Sequence, residues 1–137
     1  MEKEKKIDAL ILEKDREVAK SIERALKDGP YAATLLTGKE EAIRLLKEKP
    51  RPLTFVGESE DSGSIFQTMR EIVMASPMTS MILITDLPEE EIEDKAEGYG
   101  ILGHIGRDIG VGDLALLVDR FEEILKSSSP PTADKAG

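Results

Sequence analysis

The sequence contains no cysteine and a single histidine, His104. Without cysteine there is no disulfide scaffold, no thiolate zinc site and no thiol nucleophile, and one imidazole excludes metal sites that need two or more. Aromatic residues make up only 4% of the chain, so the core must be built from aliphatic side chains. The hydrophobic fraction of 39% is nevertheless that of an ordinary globular protein.

Positive charge is also scarce, because 19 Lys and Arg residues stand against 28 Asp and Glu, for a net charge of -9. Such a surface repels the phosphates of nucleic acids and of anionic lipids, so we expect neither a nucleic acid nor a membrane as partner. No apolar run approaches transmembrane length, and none behind the charged start Met1–Lys6 is long enough for a signal peptide. We therefore expect a cytoplasmic protein.

Short apolar runs alternate with amphipathic segments along the chain. The runs are typical of strands buried on both faces, and they are Ala9–Leu12, Ala32–Leu36, Leu53–Val56, Met81–Thr85 and Ile101–Ile105. Apolar residues at helical spacing follow each run; the fourth helix begins near Pro88, and the fifth runs from about Gly112 to Lys126. This alternation predicts one α/β domain over residues 1–126, with residues 127–137 as a disordered linker or tail. Right-handed crossovers make it a flavodoxin-like (βα)5 fold, with a doubly wound five-stranded parallel sheet between two helical layers.

Polar residues follow the predicted strands, and in a doubly wound sheet chemistry lies at these carboxyl ends. The positions are Glu13, Lys14 and Asp15 after the first strand, Gly57 and Glu58 after the third, Thr85 at the end of the fourth, and Arg107 and Asp108 after the fifth. Their order resembles the receiver domains of two-component response regulators over roughly residues 7 to 126. The resemblance implies an acidic pair after strand 1 that binds magnesium and an aspartate after strand 3 that accepts a phosphoryl group. It also implies a Thr or Ser ending strand 4 and a Lys-Pro after strand 5.

The departures from the receiver pattern fall on the reacting groups. Gly57 stands at the position of the phospho-accepting aspartate, and Lys14 stands on the second acid, where its charge would repel a metal ion. Phosphoryl transfer needs both an in-line carboxylate and a divalent cation. We therefore expect no catalytic residue, no bound magnesium and no other cofactor. The predicted degenerate phosphorylation pocket consists of Glu13, Lys14, Gly57, Glu58, Thr85 and Arg107.

Several of these residues also have plain structural interpretations. Glu13 and Arg107 form either a closed structural ion pair or the remnant of a switch, because charges left in a cleft need partners. Glu58 and Asp61 are either shifted phosphoryl acceptors or solvated loop charges. Asp108 replaces the family's proline, so we predict a trans peptide bond before it.

Two main hypotheses of function follow. The first is a pseudo-receiver, a non-enzymatic signalling module that acts by contacting another protein; the alternative is a phosphorylatable receiver that uses a shifted carboxylate such as Glu58. A third class, a small flavodoxin-like enzyme or nucleotide-binding domain, lacks a glycine-rich phosphate loop after the first strand. The resemblance implies a contact face, for a partner or a second copy, made by helix 4, strand 5 and helix 5. Its candidate residues are Glu93, Tyr99 and His104, the last of which could instead be only a half-buried packing residue. A downstream effector domain would attach next to this face.

Overall fold

The computed structural model describes residues 6–61 and 63–128, with only the backbone of residues 127 and 128. Five strands alternate with five helices over this range, as the sequence predicts. The elements in chain order are β1 (Ile7–Leu12), α1 (Arg16–Leu26), β2 (Tyr31–Leu36), α2 (Lys39–Glu48), β3 (Leu53–Val56), α3 (Ile65–Ala75), β4 (Ser80–Ile84), α4 (Glu89–Ala96), β5 (Ile101–Ile105) and α5 (Val111–Ser128).

The last helix is longer than predicted, because α5 continues to Ser128 and not only to about Lys126. Two serines lower helix propensity only slightly, whereas Pro130 is the first residue that disfavours helical backbone before it. The rest of the predicted linker, residues 129–137, lies outside the described residues.

The strands form one parallel sheet in the order β2-β1-β3-β4-β5, which is the doubly wound topology. The carboxyl ends are in register: Leu12 lies opposite Val56, and Ile84 lies opposite Ile105. Backbone hydrogen bonds continue past these ends, from Gly57 N–H to the Leu12 carbonyl at 2.8 Å and from Thr85 N–H to the Ile105 carbonyl at 2.9 Å. The residues that follow four strands are thereby brought to one edge of the sheet.

Helices cover both faces of the sheet, and alternate strand residues enter opposite cores. Ala9 and Ile11 of β1 pack in the core under α1 and α5, whereas Leu10 and Leu12 pack under α2, α3 and α4. All four are fully buried. Most of the core is aliphatic, as the low aromatic content predicts. In the described part of the chain, no helix is both long enough and apolar enough to cross a membrane.

Candidate functional site

The carboxylate of Glu13 lies at the centre of the carboxyl edge of the sheet. Glu13 is only 1% exposed, because it directly follows β1, an interior strand of the sheet. The next residues turn away from the sheet, since Asp15 is the N-cap of α1 and its side chain accepts the backbone N–H of Glu17 at 2.9 Å. That turn leaves the Glu13 side chain directed over the neighbouring strand ends.

Arg107 binds Glu13 through both guanidinium nitrogens. Nη1 donates to Oε1 at 2.9 Å and Nη2 donates to Oε2 at 2.7 Å, the two-pronged geometry that matches a planar guanidinium to a carboxylate. The N–H of Asp15 also donates to Oε2 at 2.8 Å, and the N–H of Glu58 donates to Oε1 at 3.1 Å. The hydrogen bonds to Glu13 raise the pKa of Arg107 above its ordinary value, against the opposing effect of burial. The predicted ion pair is therefore present and closed, with four donors on one buried carboxylate.

Gly57 lies against this ion pair. A Cβ atom added at Gly57 would overlap Glu13 Oε1, and it would lie 3.1 Å from Glu13 Cδ and 3.3 Å from Ile84 Cδ1. The carboxylate of Glu13 therefore occupies the space that the Cβ atom of any side chain at position 57 would need. The inward position of the Glu13 carboxylate thus depends on the absence of a side chain at position 57.

Lys14 and Glu58 lie at the rim of the site. Lys14 Nζ is 3.8 Å from Glu58 Oε1, and both side chains are about half exposed, at 51% and 53%. Arg107 Nη2 lies 4.0 Å from the same Glu58 oxygen. The counter-charge of Glu13 is therefore Arg107 rather than Lys14, and the Glu58 carboxylate faces two cations at the entrance.

Thr85 and Asp61 each accept a backbone N–H outside the Glu13–Arg107 pair. The buried Thr85 accepts the N–H of Leu87 on its hydroxyl oxygen at 3.2 Å, so its side chain stabilises the backbone turn after β4. Asp61 caps α2 by accepting the N–H of Lys39 at 2.9 Å, and this hydrogen bond lowers the pKa of Asp61. Asp61 thus contacts a helix end rather than the ion pair.

Two residues for which the sequence predicts no role hold the loop that carries Arg107. Asp86, after β4, accepts the backbone N–H of Arg107 at 2.9 Å. Ile109 is buried and adopts a φ of 51°, in the left-handed region that β-branched residues rarely occupy. The peptide bond between Arg107 and Asp108 is trans, as predicted. A hint of the role of Asp86 was its position at a strand end, whereas no sequence signal marks Ile109.

The donor set at this site does not fit magnesium. Both oxygens of Glu13 already accept charged or backbone donors, Gly57 supplies no oxygen ligand from a side chain, and Lys14 supplies a cation. Within residues 6–61 and 63–128, no group of three or more His, Asp or Glu side chains could hold a metal ion. Because Mg²⁺ prefers carboxylate and water oxygens in octahedral geometry, these residues do not supply the ligands that it needs.

The face made by α4, β5 and α5 contains an open groove of about 760 Å³. Glu93 and His104 both line it, together with Arg120 of α5. Tyr99 does not line it, because its ring is partly buried against the core under α2, α3 and α4. Two of the three predicted contact residues therefore share one groove, and the third belongs to the packing beside it.

The sequence matches no protein-family model and no curated protein. The structure does match solved receiver domains. They include a signal receiver domain of an HD domain-containing protein from Pseudomonas fluorescens Pf-5, with a TM-score of 0.77 and 18% identity over 93% of this chain and 94% of that one. A CheY-like response regulator receiver domain from Methanospirillum hungatei JF-1 has a TM-score of 0.77 and 14% identity, over 90% and 99%. The receiver domain of a putative Luxo repressor protein from Vibrio parahaemolyticus has a TM-score of 0.74 and 17% identity, over 90% and 98%. The chain therefore has the response-regulator receiver fold, a flavodoxin-like (βα)5 architecture.

Proposed function

We propose that this domain is a pseudo-receiver, a signalling module that works by protein contact and does not accept a phosphoryl group. The observation that carries the proposal is the position of the Glu13 carboxylate, which fills the space beside Gly57 and is bound by Arg107. A receiver would need an aspartate side chain in that space. The site has no catalytic residue in this proposal and uses no metal ion.

The electrostatics of the site support this proposal. In a receiver, as the resemblance implies, a metal ion and a lysine balance the acidic pocket and the incoming phosphoryl group. Here Arg107 balances Glu13 directly, and the two backbone donors complete the coordination of the carboxylate. A phosphoryl group arriving next to Glu13 would bring like charge to a carboxylate whose counter-charge, Arg107, is already bound to it. The Glu13 carboxylate is therefore satisfied in counter-charge and in hydrogen bonds.

The direct test is incubation of the protein with acetyl phosphate and magnesium, read by intact mass. We expect no species heavier by one phosphoryl group. The Glu58→Gln variant is the matched control, because Glu58 is the nearest half-exposed carboxylate to both cations. A phosphoryl adduct that forms on the wild type and disappears in Glu58→Gln would replace this proposal with the shifted-carboxylate alternative.

The contact face of the module is proposed to be the groove between α4, β5 and α5. Glu93 and His104 line it, and α4 is the shortest of the five helices, with Ile92 and Ala96 as its buried residues, so we expect it to shift readily. A protein partner, a second copy or an attached effector domain could bind there, whereas the net charge of -9 disfavours nucleic acid and anionic membranes. A cytoplasmic location is part of the same proposal.

Charge reversal at Glu93 combined with His104→Ala tests this face, because both side chains line the groove. We expect the double variant to lose partner binding or self-association, measured by co-purification and sedimentation velocity. The control is reversal of the exposed Lys20 on α1, which should change neither. Loss in the α1 variant alone would move the contact surface to α1.

A further inference from the structure

The groove between α2 and α3 combines an apolar floor with two cations that form no ion pair within the described part of the chain. It has a volume of about 600 Å³ and is lined by Ile43 and Lys47 of α2 and by Gln67, Arg70, Glu71, Met74 and Ala75 of α3. The lining residues of α2 are one turn apart, and those of α3 extend over about two turns. The groove is therefore a channel along two neighbouring helices, on the helical layer that does not contain α5.

Met74 is the main apolar side chain offered to solvent there. It is 83% exposed, and Met78 in the turn after α3 is 87% exposed. These are the two most exposed large hydrophobic residues in the part of the chain that the structure describes. Methionine is flexible and polarizable, and it is over-represented on surfaces that bind apolar side chains of peptides. Met78 is not one of the residues that line the groove, so its apolar surface comes from Met74 together with Ile43 and Ala75.

The charges at the rim of this groove are unusual for an acidic chain. Lys47 and Arg70 are exposed, and neither forms an ion pair with any described residue. The acidic residue between them, Glu71, is already paired with Lys39, whose Nζ lies 3.4 Å from Glu71 Oε1. The charged side chains that line the groove are therefore two cations and one carboxylate, although the whole chain has a net charge of -9.

From this combination we propose that the α2–α3 groove binds an amphipathic, acidic helical segment of a partner protein. An apolar stripe on such a helix would cover Met74 and Ile43, and carboxylates beside the stripe would pair with Lys47 and Arg70. A helix laid into a groove between two helices is a recurrent mode of peptide recognition. This surface is separate from the α4–β5–α5 face, and the proposal holds whether or not the domain accepts a phosphoryl group.

The test uses a fluorescein-labelled synthetic helix about 18 residues long, since shorter helices are marginal in water, with leucine along one face and glutamate along its flanks. Its anisotropy is titrated with the full chain at low and high ionic strength. The matched control peptide replaces every glutamate by lysine. We expect the acidic peptide to bind at least about ten-fold more tightly than the basic one, and its affinity to fall as salt is added.

Three protein variants locate the binding. Lys47→Glu with Arg70→Glu should weaken binding of the acidic peptide at least about ten-fold, and Met74→Gln should weaken it by about the same factor. Lys20→Glu on α1 with Lys27→Glu at the C-cap of the same helix changes the net charge equally and should leave the affinity within about two-fold.

The proposal is overturned if the acidic peptide does not bind, if the basic peptide binds better, or if both double variants lose affinity equally. It is also overturned if the peptide fails to bind while sedimentation velocity shows a wild-type dimer that Met74→Gln abolishes. In that case the occupant of the groove is a second copy of this chain.

Discussion

Replacement of Gly57 by alanine adds only one methyl group, but it should destabilise the domain strongly. The methyl group would overlap Glu13 Oε1, so either the carboxylate moves or the β3 end is displaced. Moving the carboxylate breaks two hydrogen bonds to Arg107 and two to backbone N–H groups. Breaking a buried ion pair costs about 3–5 kcal/mol, and overpacking alone costs about 1–3 kcal/mol. Because the Arg107 side chain is 20% exposed and water can solvate part of its charge, we expect a loss of about 2–4 kcal/mol.

Urea unfolding and thermal melting measure this loss of stability. A double-mutant cycle with Glu13→Ala then shows whether the loss comes from the contact between position 57 and Glu13. Each kcal/mol corresponds to roughly 3–6 °C in the melting temperature of a domain of this size. In the Glu13→Ala background the methyl group enters vacated space, so Gly57→Ala should cost less than about 1 kcal/mol there. Gly112→Ala is the matched control, since nothing lies within 4 Å of its added Cβ, and it should stabilise α5 by up to about 1 kcal/mol. Equal costs for Gly57→Ala in both backgrounds would refute the view that Glu13 occupies that space.

Three further predictions concern the surroundings of the site and the core. Asp15→Ala should lower the free energy of unfolding by about 1 kcal/mol through loss of the α1 N-cap, with Asp15→Ser retaining most of it in urea unfolding. Burial and the hydrogen bond to Glu122 raise the pKa of Tyr31, so the folded state holds this proton more tightly than the unfolded state. The stability that comes from this tighter binding is present below the unfolded pKa near 10 and is lost as the pH rises above it. Between about pH 9 and pH 11 the free energy of unfolding of Tyr31→Phe should therefore fall less than that of the wild type. Asp86→Ala removes the acceptor of the Arg107 N–H, and hydrogen exchange at that amide should accelerate about five-fold; an unchanged rate would mean that the loop is fixed elsewhere.

The fold could be predicted from the sequence because its strands are short apolar runs separated by strongly amphipathic helices. The boundaries at the amino edge of the sheet could not. β1 begins at Ile7, two residues before the apolar run, because its backbone ladder continues opposite Tyr31. Asp8 interrupts the apolar pattern there, but its carboxylate is partly exposed and lies 3.6 Å from Lys49 Nζ. Backbone pairing continues where the side-chain pattern stops, and this explains the difference.

The site could be predicted only as far as the topology fixes it. The register of a parallel sheet brings Glu13, Gly57 and Arg107 to one edge whatever their side chains do. Two features depend on details that a one-dimensional pattern does not contain. Arg107 rather than Lys14 reaches Glu13, because the chain turns outward after β1 into the α1 cap. The steric conflict between position 57 and the Glu13 carboxylate exists only once both side-chain positions are known.

The Glu13–Arg107 pair connects loops after β1 and β5, which are not neighbours in the sheet. Arg107 reaches across the ends of the intervening strands, and its planar fork holds the carboxylate by two bonds where a lysine would hold it as a point charge. A phosphoryl group and a metal ion can be added and removed, whereas this pair is part of the chain and is present whenever the chain is folded. Under the proposed function, regulation then has to come from the availability of the partner or from the concentration of the domain. We therefore expect partner affinity to be the same with and without acetyl phosphate and magnesium. We also expect Arg107→Ala to lower stability by about 2–4 kcal/mol, because Glu13 would lose its buried counter-charge. A change in partner affinity on addition of the phosphodonor, with no change in stability in the Arg107 variant, would contradict both expectations.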